Sequence, residues 1–341
     1  MTDNATDRPL VTLAVFAYNQ EQYIREAVEG AIAQTYEPLE IILSDDCSSD
    51  RTFEIMHEMA AAYEGAHNVY VRRNIFNLGT SQHVQLAFAE SSGQLFVVAA
   101  GDDISTPDRV EVLVETWIAA ECPEGVVHSG RERFRNGQAI EIAIGKGRQN
   151  SDRVLEGYAR GYWLPAAAPT CAYTRGVFER FPPLFGGSII EDAPLFLRAA
   201  LLGRFIAVDK PLVRCRVHAD NTGTGHHIDA PARWNRFIQS KVIAFRTMQR
   251  DLAEFDGPID AKLRTRIESR ILAVLGSASR LIILESRPLG ALEKARLFIR
   301  LATSHAVAQT LPVRVNFALG FLGFTFQNGI KTLVCKFRSD Q

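Results

Sequence analysis

The sequence has few cysteines, no long apolar run and no excess charge of one sign. The five cysteines (Cys47, Cys122, Cys171, Cys215, Cys335) are scattered and no two form a CxxC pair. They read as reduced thiols rather than a disulfide framework or a zinc site, which points to a cytoplasmic protein. The opening MTDNATDRP is polar and has no apolar h-region, so no secretory signal is expected. No stretch reaches the roughly 20 apolar residues of a membrane-spanning helix. The net charge of -1 leaves no global basic footprint, and nucleic acid is excluded as a partner. There is no GxGxxG after the first strand-like run and no GxxxxGK[ST] anywhere. Dinucleotide and P-loop phosphate sites are therefore missing, and a phosphate would have to be held by metal and side chains.

The first half of the chain is an alternation. VTLAVFAYN reads as a strand and its turn, and residues 21–34 follow with Ile24, Ala27, Val28, Ala31 and Ile32 at helical spacing. LEIILSDD is a second strand, with Ser49 as an N-cap for the next helix. Val69–Val71 is a third, and a helix near 80–90 precedes the run Leu95–Ala100. Thr106-Pro107 reads as the start of a helix reaching about Ala120, and Val126–His128 as a fifth strand. Such alternation predicts a mostly parallel α/β sheet with helices on both faces. From 130 to 150 the periodicity fades into hairpins or loops. Cys171–Tyr173 reads as a strand, a helix starts near Asp192, and RFIAVDKPLVRCRVH is a strand pair or one bent strand. Beyond 225 long helical patterns take over.

Three polar sites fall where strands end: Tyr18-Asn19, Asp45-Asp46 and Asp102-Asp103. In open α/β sheets ligands bind outside the carboxyl ends of strands. Adjacent anions there are best tolerated beside a cation, and a divalent metal holding a diphosphate fits that chemistry. Taken singly, each site also reads as a turn or helix cap. A fourth site, Glu191-Asp192, opens a helix. Neighbouring carboxylates raise one another's pKa and favour a proton acceptor near neutral pH, although acidic residues also stabilise any helix N-terminus. His218 and Asn221 follow a strand, where His218 reads as a metal or phosphate ligand or as a loop histidine. His226-His227 reads as surface.

Taken together, VTLAVFAYNQEQYIREAVEGAIAQTYEPLEIILSDDCSSDRT, Asn77-Leu78-Gly79, Asp102-Asp103, Glu191-Asp192 and His218-x-x-Asn221 resemble family 2 glycosyltransferases over residues 9–224. The resemblance implies a GT-A fold: a Rossmann-like nucleotide-diphospho-sugar transferase, α/β, with a mixed sheet flanked by helices. It implies a catalytic domain over 8–225, with a nucleotide-sugar half at 8–128 and an acceptor half at 129–225, followed by a helical C-terminal region at 226–341. It implies an inverting enzyme with a nucleotide-sugar donor, Mg²⁺ or Mn²⁺, and a saccharide or lipid-linked saccharide acceptor. Asp46 would bind the nucleobase with Tyr18 close by, and Ala17, Asn19 and Asn77 would complete the donor pocket. Asp102 would lie against the ribose or sugar, and Asp103 would hold the metal. Asp192 would be the general base with Glu191 supporting it, and His218 a further metal or phosphate contact. Phe16-Ala17 and Thr80-Ser81 depart from the family pattern, and a backbone contact at Ala17 would replace a side-chain one. A sugar nucleotidyltransferase would need a glycine-rich basic loop that AYNQEQYIREA lacks, and a scaffold that has lost catalysis would be signalled by loss of Asp103 or Asp192.

Tyr158, Tyr162 and Trp163 form an aromatic platform for an acceptor sugar or are packing residues. Between 289 and 341 seven Lys/Arg stand against two Asp/Glu, and 315–330 is uncharged with four phenylalanines. The 312–335 segment reads either as an interfacial helix at the inner face of the cell membrane or as a helix packed on the domain or in a homodimer interface.

Overall fold

The structure is a computed structural model that describes residues 8–144, 148–161, 166–218 and 231–286. Four strands open the chain: β1 (Val11–Ala17), β2 (Leu39–Asp45), β3 (Asn68–Arg73) and β4 (Leu95–Ala100). They pair in parallel in the order β3-β2-β1-β4. Both faces of this sheet are covered, so its central strands are continuous apolar runs rather than alternating ones. Leu13, Val15, Ile41 and Leu43 bury one face under α1 (Ile24–Ile32), α2 (Thr52–Ala61) and, further along, α4 (Arg109–Ile118). Ala14, Phe16, Ile42 and Phe96 bury the other, with Val84, Ala87 and Phe88 of α3 (Thr80–Ala89).

After β4 comes a two-residue strand, β5 (Ile104–Ser105). The chain continues with β6 (Gly125–Arg135), β7 (Gln138–Ala143), β8 (Arg148–Asn150), α5 (Ser151–Ala159), β9 (Cys171–Thr174), α6 (Gly176–Glu179), α7 (Asp192–Leu202) and β10 (Arg204–Arg216). β9 runs antiparallel to both β4 and β6, which makes the sheet mixed, and the order continues β4-β9-β6-β10-β5. β10 is one strand with irregular register between Ala207 and Val213, so of the two readings of RFIAVDKPLVRCRVH the bent strand is the one found. The weak-period stretch after 130 is a hairpin. Asn136 and Gly137 both take positive φ (49° and 79°), as a tight turn matched to strand twist requires.

Two helix starts differ from expectation. The fourth helix begins at Arg109 rather than Pro107, because the Thr106 hydroxyl donates to Asp108 instead of capping backbone N–H groups. The second begins at Thr52, whose N–H and hydroxyl both donate to Asp50, and Ser49 makes no cap there.

Two long helices, α8 (Pro231–Glu254) and α9 (Ala261–Ser286), complete the described structure. Phe245, Met248 and Leu252 of α8 and Ile267 and Ile271 of α9 share one apolar core with α5 and α7. Tyr158 sits inside this core with its hydroxyl against Met248, so it is packing and not part of an acceptor platform. No described helix is long and apolar enough to cross a membrane. The 312–335 segment lies outside the described residues.

α7 and α8 are joined by an ion pair with no exposure on either side: Arg198 Nε donates to Asp251 at 2.6 Å. Arg198 also donates to the carbonyls of Val177 and Pro182. Removing one partner of such a pair strands a buried charge. Arg198→Ala is therefore expected to lower unfolding stability by about 3–5 kcal/mol, measured by urea denaturation.

Candidate active site

The carboxyl ends of β1 and β2 are stitched together by their own turns. Ala17 is buried, and its carbonyl accepts the Asp46 N–H at 3.0 Å. Tyr18 is exposed beside it. Asn19 takes φ 53°, a region that asparagine tolerates better than most residues. Its N–H donates to Ser48 Oγ at 2.8 Å, and its carboxamide oxygen accepts the Ser49 N–H at 2.8 Å. Asp46 is buried, and its carboxylate accepts three donors: Asn74 Nδ2 at 2.7 Å, Leu78 N–H at 2.9 Å and Gly79 N–H at 3.0 Å. It thereby fixes the turn that presents the exposed Asn77. Asp45 is fully buried; one oxygen meets Ser48 N–H and Arg73, and the other has no partner among the described residues. Beneath them Ser44 bonds both Arg72 (2.7 Å) and His83 (2.6 Å). Burial lowers the His83 pKa to about 4, which keeps the ring neutral.

Gly101 lets the turn after β4 lie close against β1. A Cβ there would stand 2.5 Å from Gln20 Oε1 and 2.9 Å from Ala17 Cβ. Asp102 Oδ2 meets His218 Nε2 at 2.9 Å, and the His218 ring stands 4.7 Å from that of Tyr23. Arg216 closes this corner: its N–H donates to Asp103 Oδ1 at 2.9 Å, its Nε to the Asp102 carbonyl at 3.2 Å and its Nη2 to Glu26 at 2.9 Å. Asp103 is buried. Burial first, and then the neighbouring Asp102, push its pKa up.

Behind Asp103 lies a cation absent from the sequence-based reading. Arg109 is fully buried and donates to Ser105 Oγ (2.9 Å), the Val98 carbonyl (2.7 Å) and the Pro169 carbonyl (2.7 Å). Burial lowers its pKa to about 10, which still leaves it charged at neutral pH, and its field acts on Asp103 and on Cys171.

Glu191 and Asp192 form the start of α7. Asp192 Oδ1 accepts the Ala193 N–H at 2.8 Å. Burial raises the pKa of both, and the charge of Asp192 raises Glu191 further. The charge of Asp192 also acts on Cys171 and Tyr173 of β9, and the Tyr173 hydroxyl is buried without a partner among the described residues. The segment leading into this pair is gripped from two sides. Ser188 carbonyl accepts the Ser81 N–H at 3.1 Å, and the Ile189 N–H donates to Ser240 Oγ of α8 at 3.2 Å. Tyr162, Trp163, Asn221, His226 and His227 lie outside the described residues.

Among the described residues no three His, Cys, Asp or Glu side chains form a metal cage. The donor chemistry at the β4 end still suits a hard divalent cation, which is commonly held by one or two carboxylates and completed by substrate phosphates. A cation would also offset the desolvation that disfavours the Asp103 anion.

Residues 12–180 match the family described as glycosyl transferase family 2. An uncharacterized glycosyltransferase of Haemophilus influenzae is 37% identical over 106 residues, 31% of this chain and 32% of that relative. The chain spans only about a third of the length of the first curated relatives it matches. Among solved structures, S. aureus TarS 1-349 in complex with UDP-GlcNAc superposes with a TM-score of 0.59 at 16% identity, over 92% of this chain and 88% of that one. The mannosyltransferase PcManGT of Pyrobaculum calidifontis, in complex with GDP-Man and Mn²⁺, gives 0.52 at 18% identity, over 93% and 86%. At these identities the likeness is one of fold, and that fold is GT-A. Through residues 12–180 the chain belongs to glycosyl transferase family 2.

Proposed function

We propose that this protein is an inverting, metal-dependent glycosyltransferase. It moves a sugar from a nucleotide-sugar donor to a hydroxyl of a saccharide or lipid-linked saccharide, in surface-polysaccharide or glycolipid assembly. The observation that carries the reading is the division of acidic residues in this GT-A sheet. Asp102-Asp103 stands at the end of β4, tied to Arg216 and His218, and the separate pair Glu191-Asp192 opens α7. The nucleotide sugars bound by TarS and PcManGT support a donor of that class, and the Mn²⁺ of PcManGT supports a divalent cation, Mg²⁺ or Mn²⁺.

In this reading Ala17, Tyr18 and Asn19 border the nucleoside, and Asp46 frames the base through the turn carrying Asn77. Asp102 faces the ribose or sugar, held by His218. Asp103 holds the metal, with His218 as the neighbouring donor, and that cation would stabilise the charge developing on the departing diphosphate. Asp192 accepts the proton of the acceptor hydroxyl. The new C–O bond forms at the anomeric carbon as the bond to the diphosphate breaks, and the electron pair leaves with the diphosphate. A single displacement of this kind inverts the anomeric centre. Glu191 keeps a second carboxyl beside the base.

Asp103→Asn is expected to abolish metal-dependent nucleotide binding, read by calorimetry with UDP- and GDP-sugars with and without Mn²⁺. Absence of nucleotide binding by the unaltered protein, with or without metal, would sink the transferase reading. Asp192→Asn is expected to bind donor normally but to lose transfer by about 10²–10⁴-fold, the usual worth of a general base; normal transfer would remove Asp192 from that role.

The raised carboxyl pKa values also set a pH dependence. Asp192 works only when ionised, so kcat should fall as pH drops through a value above the ordinary carboxylate range. Stability runs the other way. The folded form holds the proton more tightly than the unfolded form, so the contribution is full below the ordinary carboxylate pKa and is lost as pH rises through the raised one. Asp192→Asn should therefore be more stable than the unaltered protein at neutral pH. Thermal melts at acidic and neutral pH should show the gap only at the higher pH.

A further inference from the structure

We infer that Tyr23 is a positioning residue of the acidic corner at the end of β4: its ring is the surface against which both His218 and Arg216 are held onto Asp102 and Asp103. The inference rests on the reading above, in which that pair meets the donor and its metal.

Tyr23 stands half-buried immediately before α1. Its N–H donates to the Gln20 carbonyl at 2.8 Å, and the Gln20 N–H donates to Thr52 Oγ1 at 2.7 Å. The backbone of Tyr23 therefore belongs to the turn that borders the nucleoside, and it is placed by main-chain bonds that any side chain would keep. Its ring meets the end of β10, far along the chain. The His218 ring lies 4.7 Å away, centroid to centroid, tilted by 36°. The Arg216 guanidinium lies over the Tyr23 ring at 5.0 Å and over the Phe134 ring at 4.7 Å. These separations fall within the range in which aromatic pairs and cation–π pairs attract.

His218 and Arg216 are the two side chains of β10 and its end that touch the acidic pair. His218 meets the Asp102 carboxylate, and Arg216 reaches the Asp102 carbonyl while its N–H serves Asp103. The side chains of His218, Asp102 and Arg216 are 13%, 12% and 16% exposed, so water still competes for these bonds. A hydrogen bond alone leaves a long side chain several rotamers, whereas packing against a flat ring removes most of them. Glu26, about one turn along α1, takes another edge of the guanidinium at 2.9 Å, but its carboxylate is half exposed. An ion pair in that setting holds little, and the ring is the stronger restraint.

The consequence is selective. Groups that orient metal ligands without touching the metal change metal affinity by about 10–100-fold when removed. Losing the ring should loosen the corner that receives the metal and the diphosphate. It should spare the nucleoside turn, which Ser48, Ser49 and Thr52 hold. The effect is therefore expected only in the part of donor binding that needs the metal.

Calorimetry of the full chain with UDP and with GDP, each in Mn²⁺ and in EDTA, tests this. For whichever nucleotide binds, Tyr23→Leu is expected to weaken binding in Mn²⁺ by about 10–100-fold and binding in EDTA by less than about twofold. Tyr23→Phe, which keeps the ring, is expected to match the unaltered protein in both. Urea unfolding of each variant reads the fold, and Tyr23→Met takes the place of the leucine variant if that one is not fully native. Equal weakening with and without metal marks the ring as merely structural and overturns the inference. So does full Mn²⁺-dependent binding by Tyr23→Leu, or its loss in Tyr23→Phe. Those three results leave the transferase reading standing. Unaltered protein that binds neither nucleotide, or binds one regardless of Mn²⁺, overturns the inference together with the metal-dependent reading on which it rests.

Discussion

Two pairs of adjacent carboxylates held largely out of water are the constraint that the rest of this molecule answers. Asp103, Glu191 and Asp192 are all buried enough for desolvation to be the leading influence on their protonation. Leaving such groups uncompensated costs several kcal/mol per charge. The compensation differs between the pairs. At the β4 end it comes from Arg216, through its backbone N–H, and from the field of Arg109, a guanidinium sealed beneath the turn by two carbonyls and a serine. At α7 it comes from the Ala193 N–H at a helix N-terminus, where the backbone dipoles favour negative charge. No side-chain cation pairs with Glu191 or Asp192 among the described ion pairs. Burial nevertheless raises the pKa of Asp103 as it does those of Glu191 and Asp192, and what differs is the surroundings: among the described residues only the first pair has arginines beside it. That asymmetry suits metal binding at one and proton transfer at the other.

Much of this was readable from local pattern. VTLAVFA and LEIILSD could only be strands buried on both faces, and a polar residue directly after such a strand must stand at its carboxyl end. The positions of Tyr18, Asp46 and Asp102 followed without knowledge of pairing. The partners of those residues did not follow, because they arrive from far along the chain. His218 reaches Asp102 across 116 positions, and Asp251 reaches Arg198 across 53. Arg109 lay in a plain amphipathic helix start, and nothing local separates an arginine that snorkels to solvent from one sealed under a turn. Periodicity also mistakes the address of aromatic residues. Tyr158 looks like a sugar platform in GYARGYW until the helix carrying it is seen to face α8. The hairpin turn at Asn136-Gly137 carried its own signal, an Asn-Gly pair ahead of alternating isoleucines.

The contacts around Ser188 change what the C-terminal helices mean. Gly79, whose N–H is held by Asp46, takes φ 75°, and a Cβ there would come within 3.1 Å of the Ser188 carbonyl. Two residues on, Ser81 donates to that same carbonyl. From the other side α8 supplies Ser240 to Ile189, and Asp251 to Arg198 on α7. The segment that delivers Glu191 and Asp192 is therefore clamped between the turn organised by Asp46 and a helix lying beyond the family-matched residues. A base must stay within a few tenths of an ångström of its proton's path, and such precision comes from side chains locked by their neighbours rather than from the acidic residue itself. α8 packs into the core it shares with α5 and α7 as the outer jaw of that clamp. Deleting it would expose the ion pair and the apolar face of α7 together. Conservation of function in this chain would then depend on residues near 240 and 251 as much as on the strand-end acids that first drew attention.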